Sequence, residues 1–409
     1  MVAPYYYPEM IGSAPYCTDL AEFLAANGWE IRVVTARPRY PSPDAFPEYQ
    51  DGARDVELVR GVLVRHIPVR PRSGAGAVSR LRGDLSFLTS AIAGRITGKI
   101  PPANVVLAFV PSIFSVAIGL AFRARKGRFV AVVHDIESGL ARALGLLRPI
   151  AAVSLLETLE RFLLNRADAV VVLTPQMARV LRANRVTAPI TVLPIWADLR
   201  DLPGETAAPP EGGVTLMYSG ALGRKQGLHQ VVELAARLLS THPRVRVVIQ
   251  GSGSVRGELE DEARSRGLSN IEFRDLVPKD RLLQSLREAD IQLVPQDARV
   301  GNYAIPSKLV SIMSAGRPFV STAEPGGALD ELARVSGAGL CVPTGDADAL
   351  YRAVVTLIEN PELRRRLGAN GQRHVREVLA APLVLKRYEE MMRTAADLPI
   401  VGDEVRTPA

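Results

Sequence analysis

At 409 residues, with 47% apolar and 23% charged side chains, the chain has the balance of a water-exposed globular protein and exceeds what one ordinary core holds, so two or three domains are expected. No uncharged apolar run reaches the roughly 18 residues of a membrane-spanning helix, and the start MVAPYYYPE lacks the basic and apolar segments of a secretory leader. The net charge of +7 is uneven: residues 1–200 hold 24 basic against 16 acidic side chains and the remainder 26 against 27, so the first half suits a nucleic-acid, lipid-headgroup or phosphorylated partner, and an arginine-rich genome composition explains the same excess.

Apolar runs and amphipathic stretches alternate along the chain without heptads or internal repeats, which predicts α/β domains with parallel sheets. The first strand, residues 1–4, is short for an interior strand, so we expect either residues before Met1 or a start placed elsewhere. The loop 5–13, YYYPEMIGS, enters a helix with Pro15 in its first turn and an end at Asn27 and Gly28. Gly12 and Ser13 are candidates for a backbone turn that faces phosphate, although a plain tight turn explains the same letters. A strand at 31–35 and a proline-rich loop at 38–47 follow. Six arginines from Arg60 to Arg82 precede the apolar segment 85–100. That combination suits a helix lying on an anionic membrane, and equally a solvated loop beside a buried helix.

Strands at 105–110 and 129–133 flank a helix at 112–125. The second strand delivers His134, Asp135 and Glu137 at its carboxyl end, where open α/β sheets bind ligands. Such a group can orient sugar hydroxyls or move protons, and polar residues at an exposed strand end are the plain alternative. A helix at 150–165 and a strand at 169–173 lead to Thr174, a good N-cap, with Pro175 at the first helical position. After a strand at 190–193, residues 199–213 are rich in Pro, Gly and Glu and read as a linker between domains at 1–198 and 214–380.

The strand 214–217 runs into YSGALGRKQGL, the most informative stretch of the chain. Gly220, Gly223 and Gly227 let backbone N–H groups approach an anion, and Arg224 and Lys225 add positive charge ahead of a helix, so the stretch reads as a diphosphate clamp. The strand 245–250 ends in Gly251, Ser252 and Gly253, half of a dinucleotide fingerprint without its third glycine or its ribose-binding acid. In GNYAIPSKLVSIMSAGRP, Pro306 and Ser307 start a helix with Lys308 on its first turn, and Gly316 with Pro318 ends it. The two cysteines, Cys17 and Cys341, are far apart and form no disulfide framework, as suits a reducing cytoplasm. Asp346 and Asp348 open a long helix, where carboxylates are favourable without any metal, and the other His and acidic residues lack metal-site spacing, so no metal cofactor is expected. A helix at 381–396 and a polar tail at 397–409, expected to be disordered, complete the chain.

In this order and spacing, the segments PYYYPEMIGSAPYCTDLAEFLAANGWEIRVVTARPRYP, VVHDIESGLARALG, LPIWAD, YSGALGRKQGL, IPSKLVSIMSAGRP and GAGLCVPTGDADAL resemble the retaining family-four glycosyltransferases of GT-B architecture, in particular the colanic-acid-type exopolysaccharide transferases. The resemblance implies two Rossmann-like domains facing across a cleft, with the helix at 381–396 returning to the first. It implies a nucleotide-sugar donor on the second domain, with Gly220, Gly223, Gly251, Gly253, Ser307 and Ser311 on the donor side, and a saccharide or lipid-linked saccharide acceptor on the first. Arg224, Lys225 and Lys308, with the Gly12 amide, would stabilise the departing diphosphate without a metal, and His134 and Asp135 would touch the sugar and the reacting centre. The wider family carries Arg directly after the first glycine of the clamp and Lys directly before the last; here those positions are Ala221 and Gln226. Its paired glutamates align with Tyr303 and Ser311, which removes the usual carboxylate contact to ribose. A cytoplasmic enzyme at the inner face of the plasma membrane follows, with no nucleic-acid partner, since no binding motif or aromatic stacking array is present. The alternatives are a GT-B-fold nucleotide-sugar 2-epimerase and a non-enzymatic nucleotide-sugar-binding protein.

Overall fold

The computed structural model describes residues 1–40, 42–70, 77–110, 112–145, 150–199 and 213–395. Most of the expected linker, Arg72 of the arginine-rich stretch and the tail at 397–409 lie outside these residues. Internal packing divides the chain into two units, Met1–Pro194 with Val384–Ala409, and Ile195–Leu383.

The first unit contains α1 (Ala14–Ala26), β1 (Arg32–Ala36), β2 (Val56–Val59), β3 (Val62–Ile67), α2 (Ala77–Ile96), β4 (Ala103–Val110), α3 (Ile113–Phe122), β5 (Arg123–Val133), α4 (Glu137–Ala143), α5 (Ile150–Leu164), β6 (Ala169–Val172), α6 (Pro175–Ala183) and β7 (Ile190–Val192). The expected strand at 1–4 is a short central rung: Val2 bridges Val34 of β1 and Ala108 of β4, both in parallel. The sheet therefore runs β2-β3-β1-Val2-β4-β5-β6-β7, and only β2 is antiparallel to its neighbour. Residues 129–133 of β5 and 170–172 of β6 are buried, as expected of apolar β-branched strands covered on both faces. Chain order reverses around Val2, with β1 on one side and β4 on the other.

The hairpin β2–β3 is not evident from the sequence. Its turn places Arg60 at φ 49° and Gly61 at φ 80°, the pair of positive angles that a two-residue hairpin turn needs. Arg60 sits in this turn, paired with Glu22 at 3.0 Å, and Arg65 lies in β3. Helix α3 ends three residues before the expected position and β5 begins there instead. Thr174 caps α6 by accepting the Met177 N–H at 3.2 Å.

The second unit contains β8 (Thr215–Ser219), α7 (His229–Thr241), β9 (Arg246–Gln250), α8 (Arg256–Ser265), β10 (Ile271–Arg274), α9 (Lys279–Arg287), β11 (Ile291–Val294), α10 (Lys308–Ser314), β12 (Phe319–Thr322), α11 (Ala328–Ser336), β13 (Gly339–Val342), α12 (Ala347–Glu359) and α13 (Pro361–His374). The last helix, α14 (Ala381–Ala395), groups with the first unit from Val384 onward. There Trp29 donates to Glu389 at 3.3 Å, Arg387 donates to the Val192 carbonyl at 3.3 Å, and Tyr388 is fully buried. All strands of the second sheet are parallel, in the order β10-β9-β8-β11-β12-β13. The order reverses between β8 and β11, which makes the carboxyl ends of these two strands the switch point where such sheets bind ligands. Asp346 caps α12 by accepting the Ala349 N–H at 2.7 Å, which accounts for the acidic residue there.

Candidate active site

In the second unit the loops that leave β8 and β11 carry the candidate anion site. After Ser219 the chain is laid against the loop that follows β9: Gly220 N–H donates to the Gln250 carbonyl at 2.9 Å and Leu222 N–H to the Ser252 carbonyl at 2.8 Å. A Cβ on Gly251 would overlap the Gly220 carbonyl oxygen, and one on Gly253 would overlap the Leu222 backbone. These two glycines thus permit close packing of two loops, a role the fingerprint alone does not distinguish from ligand contact.

Gly223 precedes a short 3-10 turn, Arg224–Gln226, which stands apart from α7 and is not part of its first turn. The turn is tied to the β11 loop, since Asp297 N–H donates to the Lys225 carbonyl at 3.1 Å and Gln230 Nε2, which also donates to the Gly227 carbonyl at 3.1 Å, donates to the Gln296 carbonyl at 3.4 Å. Arg224 and Lys225 are exposed, and among the described residues neither meets a carboxylate.

Lys308 supplies the third cation from the first turn of α10. Its Nζ is shielded from solvent, has no hydrogen-bond partner and lies 3.6 Å above the centroid of the Tyr218 ring. Burial, with a smaller contribution from the charge of Lys225, lowers its pKa to about 7. An ammonium held only by an aromatic face has unused hydrogen-bonding capacity, and its three donors suit an oxyanion. A Cβ on Gly220 would come within 2.9 Å of Nζ, so this glycine keeps the approach open. Tyr218, not identified as a site residue from the sequence, is fixed by donating its hydroxyl to the Ala221 carbonyl at 2.6 Å. Its contact with Lys308 spans 90 positions and leaves no local signal. Ser307 is exposed and does not cap α10, while Ser311 is partly exposed one turn further on.

The first unit sets the first turn of α1, which follows Gly12, beside His134. Gly12 has φ 55° ahead of α1, and Ser13 behind it is buried. The ring of Tyr16, on the first turn of α1, lies 6.0 Å from the His134 ring at the end of β5, and Phe109 of β4 meets that ring edge-on at 5.5 Å. Although His134 is partly exposed as a residue, its Nε2 is shielded and without a partner, and burial lowers its pKa to about 4. It is therefore a neutral imidazole at neutral pH, able to accept or donate one hydrogen bond on each nitrogen. Asp135 is partly exposed beside it.

Glu137, the first residue of α4, accepts the Ile113 N–H at 2.9 Å. Burial raises its carboxyl to about 7, the negative charges of Asp84, Glu160 and Asp135 add to this, and the Ile113 bond opposes it. Glu160 is buried behind it, accepts from both the backbone N–H and the hydroxyl of Ser138, and is also raised, mainly by burial. The end of β5 thus carries a neutral imidazole and a carboxyl that titrates near neutrality. Among the described residues no group of His, Cys, Asp and Glu has the arrangement of a metal site, and no helix is long and apolar enough to cross a membrane.

Two parallel α/β units, each with polar residues at its sheet's switch point, define the GT-B class. Residues 12–196 match the family profile described as "Glycosyl transferase 4-like domain" and residues 205–374 the one described as "Glycosyl transferases group 1". The chain belongs to the family-four glycosyltransferases of GT-B architecture and resembles the colanic-acid type. It is 28% identical to the putative colanic acid biosynthesis glycosyl transferase WcaI of Escherichia coli, over 85% of this chain and 89% of that one. It is 24% identical to the phosphatidyl-myo-inositol mannosyltransferase of Mycobacterium leprae, over 98% and 99%. Similar folds include the sucrose-phosphate synthase of Thermosynechococcus elongatus (TM-score 0.75, 19% identity, 96% and 95% covered). HepE of Anabaena, solved with UDP and glucose, is also similar (TM-score 0.68, 15% identity, 96% and 98% covered).

Proposed function

We propose that this glycosyltransferase moves a hexose from a nucleoside diphosphate donor to a saccharide acceptor carried on a lipid at the cytoplasmic membrane face, with retention and without a metal. The observation that carries the reading is the trio Arg224, Lys225 and Lys308 at the β8–β11 switch point, three cations that meet no carboxylate among the described residues. Cations left unpaired around a glycine turn suit a diphosphate on which negative charge grows as the sugar departs. The second unit then holds the donor and the first the acceptor, with His134 and Asp135 at the sugar. Retention requires attack on the face that the diphosphate leaves, and we assign the acceptor's proton to a donor phosphate oxygen. Relatives named for colanic acid synthesis and for a phosphoinositide mannosyltransferase support a surface-glycan role.

The test incubates the protein with a panel of nucleotide-sugars, with and without membrane lipid extract and with chelator, and follows nucleotide release and the anomeric configuration of the product. Acceptor-dependent release that survives chelation is expected. Release that requires a divalent cation would overturn the metal-independent mechanism, and isomerised free donor without acceptor would replace transfer by epimerisation.

A further inference from the structure

The front of the first unit contains a second cation with unused donors. Arg37 and Arg39 lie two residues apart in the loop after β1, and their surroundings differ sharply. Every nitrogen of Arg37 has a partner: Nε and Nη2 donate to the two oxygens of Asp55 at 2.8 Å each, and Nη1 donates to the Gln50 carbonyl at 2.7 Å. Among the described residues Arg39 makes no side-chain hydrogen bond: its Nε and Nη1 are shielded from solvent without a partner, and the guanidinium acts on the Glu9 carboxylate only through its charge. The group rests 5.1 Å over the ring of Tyr5. As a residue Arg39 is partly exposed. A buried donor left unmade costs the desolvation of that group, more when it is charged, and such an arrangement calls for an explanation.

The backbone here is held in place. Glu9 is buried, and its Oε1 accepts the N–H of both Arg39 and Tyr40 at 3.0 Å. This joins the loop after the Val2 rung to the loop after β1, at the carboxyl ends of adjacent parallel strands. Glu9 therefore positions Arg39 through its backbone, while the guanidinium Nε and Nη1 keep their hydrogen-bonding capacity unused. An aromatic face beneath a planar fork of N–H donors suits a sugar ring that carries an oxyanion.

We propose that Tyr5 and Arg39 form a subsite for an anionic group of the acceptor, either the carboxylate of an acidic sugar or the phosphate of its lipid carrier. Only the word acceptor rests on the transferase reading; binding of an oxyanion at Arg39 stands or falls by itself. The experiment follows the arginine Nε–H resonance of Arg39 by NMR in the full chain while sodium glucuronate, inorganic phosphate or neutral glucose is added. Arg39→Gln and Arg39→Lys are titrated in parallel through the amides of residues 5–12, and Lys225→Ala serves as the donor-side control. Saturable shifts with an oxyanion, at least tenfold weaker in Arg39→Gln, partly kept in Arg39→Lys and unchanged in Lys225→Ala, are expected. Response to glucuronate alone identifies a carboxylate ligand, and response to phosphate alone identifies a phosphate. No saturable shift, equal affinity in Arg39→Gln, or an equal response to glucose would overturn the proposal; the first is also what closure of Arg39 onto the free Oε2 of Glu9 would produce. Loss of nucleotide-sugar turnover with these shifts intact would instead count against the transferase reading.

Discussion

At the level of single residues, the candidate site depends on groups whose ionisation is set by burial. Lys308 titrates near 7 when no ligand is present, and a bound diphosphate would favour its charged form. Nucleoside diphosphate affinity should therefore fall as pH rises through about 7, by roughly tenfold between pH 6.5 and 8.5 by proton linkage. The nucleotide's own terminal ionisation acts in the opposite sense. Calorimetric titration across this range checks it, with Lys308→Met expected to be weaker and to lack the fall. The raised carboxyl of Glu137 gives a stability prediction of known sign. Because its folded pKa lies above its unfolded value, the native state binds the extra proton between about 4.5 and 7, and the associated stability is lost as pH rises through 7. Glu137→Gln should gain on the wild type from pH 5 to pH 8, by at most about 3 kcal/mol, read from urea midpoints. A difference that does not vary with pH would show that the carboxyl is ionised throughout.

Among the elements, the two switch-point loops of the second unit are built by backbone approach. Gly251→Ala should displace the Gly220 loop, at about 1–3 kcal/mol of stability, and weaken nucleotide binding in parallel. Gly12→Ala should cost only about 1–2 kcal/mol for its left-handed angle, because no atom lies within 4 Å of the added Cβ. Denaturant midpoints of the two variants test the contrast. Helices with good caps were legible in the sequence, as Thr174 and Asp346 show. So were strands formed by apolar β-branched runs, such as β5 and β6. The β2–β3 hairpin was not, because Val56, Leu58 and Leu63 are exposed apolar residues that break the alternation of a half-buried strand, and its turn carries Arg where Asn or Asp would signal it. The Lys308–Tyr218 stack and the Glu9–Arg39 tie were likewise hidden, since each joins residues on separate loops that only the sheet order brings together.

For the whole molecule, the family was readable from the order of short motifs, although no single motif is specific. The strand order that creates each switch point was not, because it is decided by pairing between distant strands. The excess charge of residues 1–200 predicts binding to anionic vesicles that weakens from 0.1 to 0.5 M salt, measured by flotation; salt-independent binding would point to apolar insertion, and no binding would remove the membrane from the account. Arg224, Lys225 and Lys308, without carboxylate partners among the described residues, are the groups proposed to carry the leaving diphosphate. Steady-state turnover of Lys225→Ala, with folding checked by circular dichroism, tests this role most directly. A fall in turnover of at least tenfold, about 1.4 kcal/mol or more of transition-state stabilisation, is expected with an intact fold. Wild-type turnover in that variant would contradict it.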